Sequence, residues 1–182
     1  MFEAPLNLKK SRILISNDDG INAPGLKRLE AIAKKLAKEV WVVAPETEQS
    51  ATGHSLTLRS PLRVKKIGKN RFSVNGTPTD CVMMAMNNIM KDNRPDLVLS
   101  GINRGSNVGE DMTYSGTIAA AMEATLFQIP AIAFSQEIDE DHIKTKVDWS
   151  AAEAFTAKVI KKVTSVTWPR DVLINVNFPP VP

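Results

Sequence analysis

Cysteine, histidine and aromatic residues are scarce in this chain of 182 residues, and each scarcity removes a class of function. A single cysteine, Cys81, excludes an intramolecular disulfide and points to a reducing compartment. With one thiol and two imidazoles, His54 and His142, a structural zinc site of Cys and His ligands has too few members. Any metal must then be held mainly by oxygen, which selects hard cations. Aromatics make up 5% of the residues, too few for a row of base-stacking platforms along a single strand. Also absent are a block of like charge, an apolar run of the roughly 20 residues that span a membrane, and an apolar core segment in the N-terminal MFEAPLNLKK. The expectation is a cytoplasmic protein with neither a membrane nor a nucleic-acid duplex as partner.

What is present suits one domain with a sizeable core: 43% hydrophobic and 24% charged residues, net charge +3, pI near 9.0. Residues 12–16 (RILIS) form a short apolar run that stops at the turn-rich NDDG, as a buried strand does. Pro24 suits a first helical turn, and Leu26, Leu29, Ile32, Ala33 and Leu36 repeat on one helical face. Residues 39–44 (EVWVVA) make a second strand, so the order is βαβ with parallel strands. Residues 56–74 alternate in polarity around GKN and predict an antiparallel hairpin excursion. A helix capped by Thr79 is expected to run to about Met90, with Val82, Met83, Met86, Ile89 and Met90 inward as core packing. Strands at 96–102, 130–135 and 172–178 and helices at 115–128 and 149–163 complete the pattern. The alternation predicts a Rossmann-like, doubly wound α/β fold with a mostly parallel sheet.

In such sheets ligands bind beyond the carboxyl ends of the strands, which directs attention to NDDG, to PETEQSATGHS and to the run from Asn103 to Thr117. Asp18 and Asp19 are adjacent carboxylates at a strand end. Two such charges about 5 Å apart repel by roughly 3 kcal/mol at an effective dielectric near 20, so a cation belongs between them. Gly20 allows the backbone turn that brings both to one ion; the alternative is a plain turn whose carboxylates cap the next helix. Ser50 and Asn103 add neutral oxygens at neighbouring strand ends, although taken alone Ser50 reads more readily as a turn former and Asn103 as a local backbone cap. The four together make an oxygen set for Mg²⁺ or Mn²⁺.

The glycine-rich run before a helix starting near Ser115, Gly116 and Thr117 offers backbone N–H groups to a phosphate, with Asn107 as a further donor. It matches neither GxGxxG nor the P-loop, which disfavours dinucleotides and nucleoside triphosphates. His54 reads as an acid, a substrate contact or a stitch within its loop, His142 as part of a solvated acidic loop, and Cys81 as a buried inert thiol.

On these residues the chain resembles the SurE family, stationary-phase survival proteins that act as 5'-nucleotidases. The matching stretches are ILISNDDGINAPGL, WVVAPETEQSATGHSLTL, NGTPTDCV, PDLVLSGINRGSNVGEDMTYSGTIAAAMEA and IPAIAFS, in order from residue 13 to 135, with LINVNFPP near the end. The resemblance implies a Rossmann-like core and one divalent ion per subunit at Asp18, Asp19, Ser50 and Asn103. It also implies phosphomonoester hydrolysis, with Asn107, Ser115, Gly116 and Thr117 around the phosphate. The implied substrates are nucleoside monophosphates, and for some members polyphosphate; the implied assembly is a homodimer or homotetramer. Similar proteins continue past residue 182 into a C-terminal hairpin and an exchanged element, so a single family-like α/β domain without that extension is expected. Asp18 and Asp19 are the expected catalytic carboxylates, Asp19 orienting or deprotonating a water. An aspartyl phosphate is disfavoured because the DxDx[T/V] pattern is missing at this strand end. The rival readings are a non-catalytic nucleotide or metal sensor using the same crevice, a phosphatase acting mainly on polyphosphate or other phosphomonoesters, and a nucleotide-sugar transferase with a paired-aspartate site.

Overall fold

In the computed structural model, which describes residues 1–138 and 147–180, a seven-stranded sheet is sandwiched between helices. The elements are β1 (Arg12–Ser16), α1 (Pro24–Leu36), β2 (Glu39–Pro45), β3 (Val64–Gly68), β4 (Arg71–Val74), α2 (Pro78–Met84), β5 (Leu97–Arg104), α3 (Gly116–Leu126), β6 (Ala131–Gln136), α4 (Ser150–Val163) and β7 (Ile174–Phe178). Strand order is β3-β4-β2-β1-β5-β6-β7, parallel throughout except for the antiparallel β3–β4 edge. The chain therefore reverses direction across the sheet between β1 and β5, the switch point at which α/β sheets open a crevice.

Strand alternation divides the core into two layers. Ile13, Ile15, Leu97 and Leu99 pack with Leu26 and Leu29 of α1 and Ala152 and Ile160 of α4. Leu14 and Val98 pack on the other face with Cys81 and Val82 of α2 and Ile118 and Ala121 of α3. Both faces are covered, which is why the central strands read as unbroken apolar runs. Among the described residues no helix is long and apolar enough to cross a membrane.

Two expectations change in detail. Residues 56–63 are not strand; only Val64–Gly68 and Arg71–Val74 form the hairpin, and β4 pairs in parallel with β2, so the hairpin widens the main sheet. The alternating residues 56–63 are drawn toward α2 instead: the Thr57 N–H and hydroxyl both donate to the Asp80 carboxylate, at 3.1 and 2.6 Å. The cap of α2 is Thr77 rather than Thr79. Thr77 accepts from the Asp80 N–H while Asp80 accepts from the Thr77 N–H, a reciprocal capping box, and Pro78 takes the first helical position where no N–H is needed. Beyond Met84 the helix continues as a π-helical turn, Ala85–Ile89. Val82, Met86 and Met90 are buried and Met83 and Ile89 partly so, as core packing requires.

Close packing of α1 on β5 fixes the mouth of the crevice. A Cβ placed on Gly25 would sit 1.9 Å from the Ile102 carbonyl oxygen, so only glycine lets the first turn of α1 approach the strand. Gly25→Ala is expected to destabilise the protein by about 1–3 kcal/mol in urea unfolding, the usual penalty of overpacking. Gly68→Ala, whose Cβ would meet only the Arg71 Cβ at 3.5 Å, is expected to stay within about 0.5 kcal/mol. Equal effects of the two substitutions would contradict this packing.

Candidate functional site

Four chain segments meet at the carboxyl ends of β1, β2 and β5. β1 ends at Ser16, opposite Ser100, whereas β5 continues to Arg104, so Asn103 and Arg104 reach beyond β1 alongside Asp18 and Asp19. Gly20, at φ +94°, turns the chain after the two aspartates; a side chain there would be strained and would press on Thr47. The loop after β2 is tied to the same turn, with the Gln49 N–H donating to the Asp18 carbonyl at 2.7 Å and the Ile21 N–H to the Pro45 carbonyl at 2.8 Å. These bonds hold Glu48 and Ser50 over the end of β1.

The result is a cavity of about 490 Å³ whose lining includes Asp18, Asp19, Ser50 and Asn103 together with Asn107 and Ser115. Asp18 is almost fully buried. One of its oxygens accepts from the Thr117 hydroxyl at 2.5 Å, and the Thr117 backbone N–H also bonds to it. Asp19 accepts from the Arg104 N–H at 3.3 Å. Ser50 donates to Glu48 at 2.7 Å, and the Asn103 amide donates to the Gly105 carbonyl at 2.9 Å, so the amide nitrogen is anchored and the oxygen is the group left for a ligand.

Electrostatics make this pair of carboxylates costly. Burial raises the pKa of Asp18 despite the hydrogen bonds from Thr117, which oppose it. Burial, reinforced by the charge of Asp18, pushes Asp19 up to about 7. The Glu48 charge adds to both shifts, and the Arg104 N–H and charge pull Asp19 partly back. No group of three or more His, Cys, Asp or Glu side chains able to hold a metal exists among the described residues. A cation at this place would therefore rest on two carboxylates and on neutral oxygens, and the donors on hand are those of Ser50 and Asn103, a set that fits a hard divalent ion.

The phosphate candidates divide. Ser115 caps α3, accepting from the Ile118 N–H at 3.1 Å, and lines the cavity. Asn107 also lines it, with one amide N–H given to Ser135 at 2.8 Å and its backbone held by Asn175 and Asn177. Gly116 and Thr117 lie beneath Asp18. A Cβ on Gly116 would be 2.7 Å from the Asp18 Cβ, and fully buried Thr117 turns both its hydroxyl and its N–H to Asp18. The first turn of α3 thus grips the carboxylate, as its positive dipole end favours.

His54 is removed from this cavity and pairs with Glu123 of α3 at 2.7 Å, a stitch between the loop and the helix. Cys81 is buried, and burial raises its thiol pKa well above the ordinary value, as an inert packing residue requires. His142 lies outside the described residues. Glu48 and Arg104, which face the same cavity, escaped the reading of the sequence. Glu48 lay in the singled-out loop after β2, and Arg104 directly follows Asn103, but nothing local marks either as part of a site.

The model of the family described as "Survival protein SurE" matches residues 13–182. This chain belongs to the SurE family. It is 61% identical over 170 residues to a protein of Paramagnetospirillum magneticum named 5'-nucleotidase SurE, covering 93% of this chain and 64% of that one. It is 57% identical over 173 residues to the 5'-nucleotidase SurE of Parvibaculum lavamentivorans, covering 95% and 62%. The crystal structure of the SurE protein from Aquifex aeolicus superposes with a TM-score of 0.83 at 42% identity, covering 93% of this chain and 66% of that one. The chain therefore spans somewhat less than two thirds of the length of these SurE relatives.

A carboxylate whose pKa is raised in the folded state binds its proton more tightly there than in the unfolded chain. The contribution of Asp19 to the stability of the metal-free protein is therefore fully present below the ordinary value of 3.8 and is lost as pH rises through about 7. Asp19→Asn removes that loss. The melting temperature of metal-free Asp19→Asn is expected to exceed that of the parent at pH 8 and to approach it at pH 4; a lower melting temperature at pH 8 would contradict the electrostatic account.

Proposed function

We propose that this SurE-family chain hydrolyses nucleoside 5'-monophosphates to nucleoside and phosphate with one divalent metal ion, Mg²⁺ or Mn²⁺, per chain. The observation that carries the reading is the meeting of two adjacent carboxylates, buried Asp18 and half-buried Asp19, with the oxygens of Ser50 and Asn103 at one cavity. The printed names of the relatives, 5'-nucleotidase SurE, supply the substrate class.

Asp18, Asp19, Ser50 and Asn103 would hold the ion, which supplies positive charge beside the phosphoryl group and so stabilises its transition state. Thr117 fixes Asp18 from below, so this ligand keeps one orientation while the other groups work. Asp19, at the rim of the cavity beside Asp18, is the carboxylate placed to orient the attacking water or take its proton. Asn107 and Ser115, which line the same cavity, orient the phosphoryl oxygens. Thr117 acts through Asp18 rather than on the phosphate. Partial enclosure by the loop after β2 keeps the effective dielectric below that of water, which strengthens each of these contacts.

A panel of nucleoside 5'-monophosphates, assayed for phosphate release with Mg²⁺ or Mn²⁺ and again with chelator, tests the proposal. Turnover is expected only with metal, and Asp19→Asn is expected to lower kcat/KM by at least about 100-fold. Tight binding of the nucleotides without turnover would replace the enzyme with a sensor; turnover undiminished by chelator would remove the metal from the mechanism.

A further inference from the structure

A second cavity, of about 480 Å³, adjoins the first and shares Asp19, Glu48 and Arg104 with it. Its far wall has a different chemistry. Ala23, Pro24 and Gly25 of the turn into α1 give an apolar surface, and Val147, Arg28 and Trp149 complete it. A volume of this order is ordinary for a small-molecule pocket. A phosphate group alone has no use for such a wall.

Arg28 is held in place before any ligand arrives. Its Nε donates to Glu153 at 2.7 Å, an Nη donates to the Pro24 carbonyl at 3.2 Å, and its guanidinium lies 5.2 Å from the Trp149 ring centroid. Trp149 itself is 7% exposed and packed into the core, so the plane on which the guanidinium rests is rigid. The Arg28 side chain nevertheless keeps 30% of its surface open and lines the cavity. A planar cation fixed at the mouth of an apolar pocket is a stacking surface for a flat aromatic ring, and every nucleobase presents one.

We infer that the cavity walled by Arg28 and Trp149 is the nucleoside subsite, with the Arg28 guanidinium as the platform for the base. This assignment rests on the phosphate reading of the neighbouring cavity, since the wall formed by Asp19, Glu48 and Arg104 is where the two halves of a nucleotide would join. Glu48 and Arg104 line both cavities at that junction. Because Arg28 is already pinned by Glu153, Pro24 and Trp149, little side-chain entropy is lost when a base stacks on it. Arg28 acts on binding and selectivity; it touches none of the reacting atoms.

The experiment compares adenosine 5'-monophosphate with ribose 5-phosphate, the same phosphate and sugar without a base, on the full chain with Mn²⁺. Adenosine binding is measured alongside by calorimetry. Arg28→Ala is expected to lower the ratio of kcat/KM for the nucleotide over the sugar phosphate about tenfold and to weaken adenosine about tenfold. Arg28→Lys, which keeps the charge beside Glu153, guards against a folding defect and is expected to lower the ratio as well. An unchanged ratio in Arg28→Ala, or a ratio restored by lysine, would overturn the stacking platform. If neither phosphate ester is hydrolysed, the catalytic reading fails by itself, and Arg28-dependent adenosine binding still decides the subsite.

Discussion

Two carboxylates forced together in a poorly solvated place are the constraint around which this end of the molecule is arranged. Asp18 and Asp19 come one residue beyond the end of β1, one almost fully buried and the other carried up to about 7 by burial and by its neighbour. Such a pair is unfavourable in a free protein, and the fold opposes it only in part. Thr117 gives two hydrogen bonds to Asp18, Arg104 gives one to Asp19, and Glu48 works against both. Perturbed carboxylate pairs of this kind cluster at functional sites, and the proposed cation would relieve the repulsion.

The scaffold explains why the pair can be held there at all. A parallel sheet covered on both faces leaves its strand ends as the open part of the molecule, and the reversal between β1 and β5 separates the loops enough to make a crevice. Three close approaches close it to the right width. Gly20 turns the chain against Thr47, Gly25 lets α1 ride on the Ile102 carbonyl, and Gly116 lets α3 start beneath Asp18. Each joins an element of the scaffold to the same few ångströms of site, so fold stability and site geometry are coupled.

Much of this was legible in the sequence because it is local. The buried strands are apolar runs, α1 shows its inward face by spacing, and the strand-end segments NDDG and PETEQSATGHS stand out by composition. What escaped depends on contacts distant along the chain. Residues 56–63 carry a strand-like alternation, yet Asp80 captures Thr57 and keeps the segment out of the sheet. Thr79 has the chemistry of a cap, but Pro78 shifts the helix start and makes Thr77 the cap. Thr117 looked like part of a phosphate cradle at a helix start; its partner Asp18 is 99 residues earlier. The Arg28–Glu153 bond spans 125 residues and has no local signal whatever.

The central claim concerns a shared ion, so it is best tested by counting that ion directly. Mn²⁺ titrated into the metal-free protein and followed by electron paramagnetic resonance should saturate at one ion per chain. Asp18→Asn and Asp19→Asn, each verified as folded by circular dichroism, should lose that tight site. One tight ion retained unchanged in both variants would place the cation elsewhere and contradict the account.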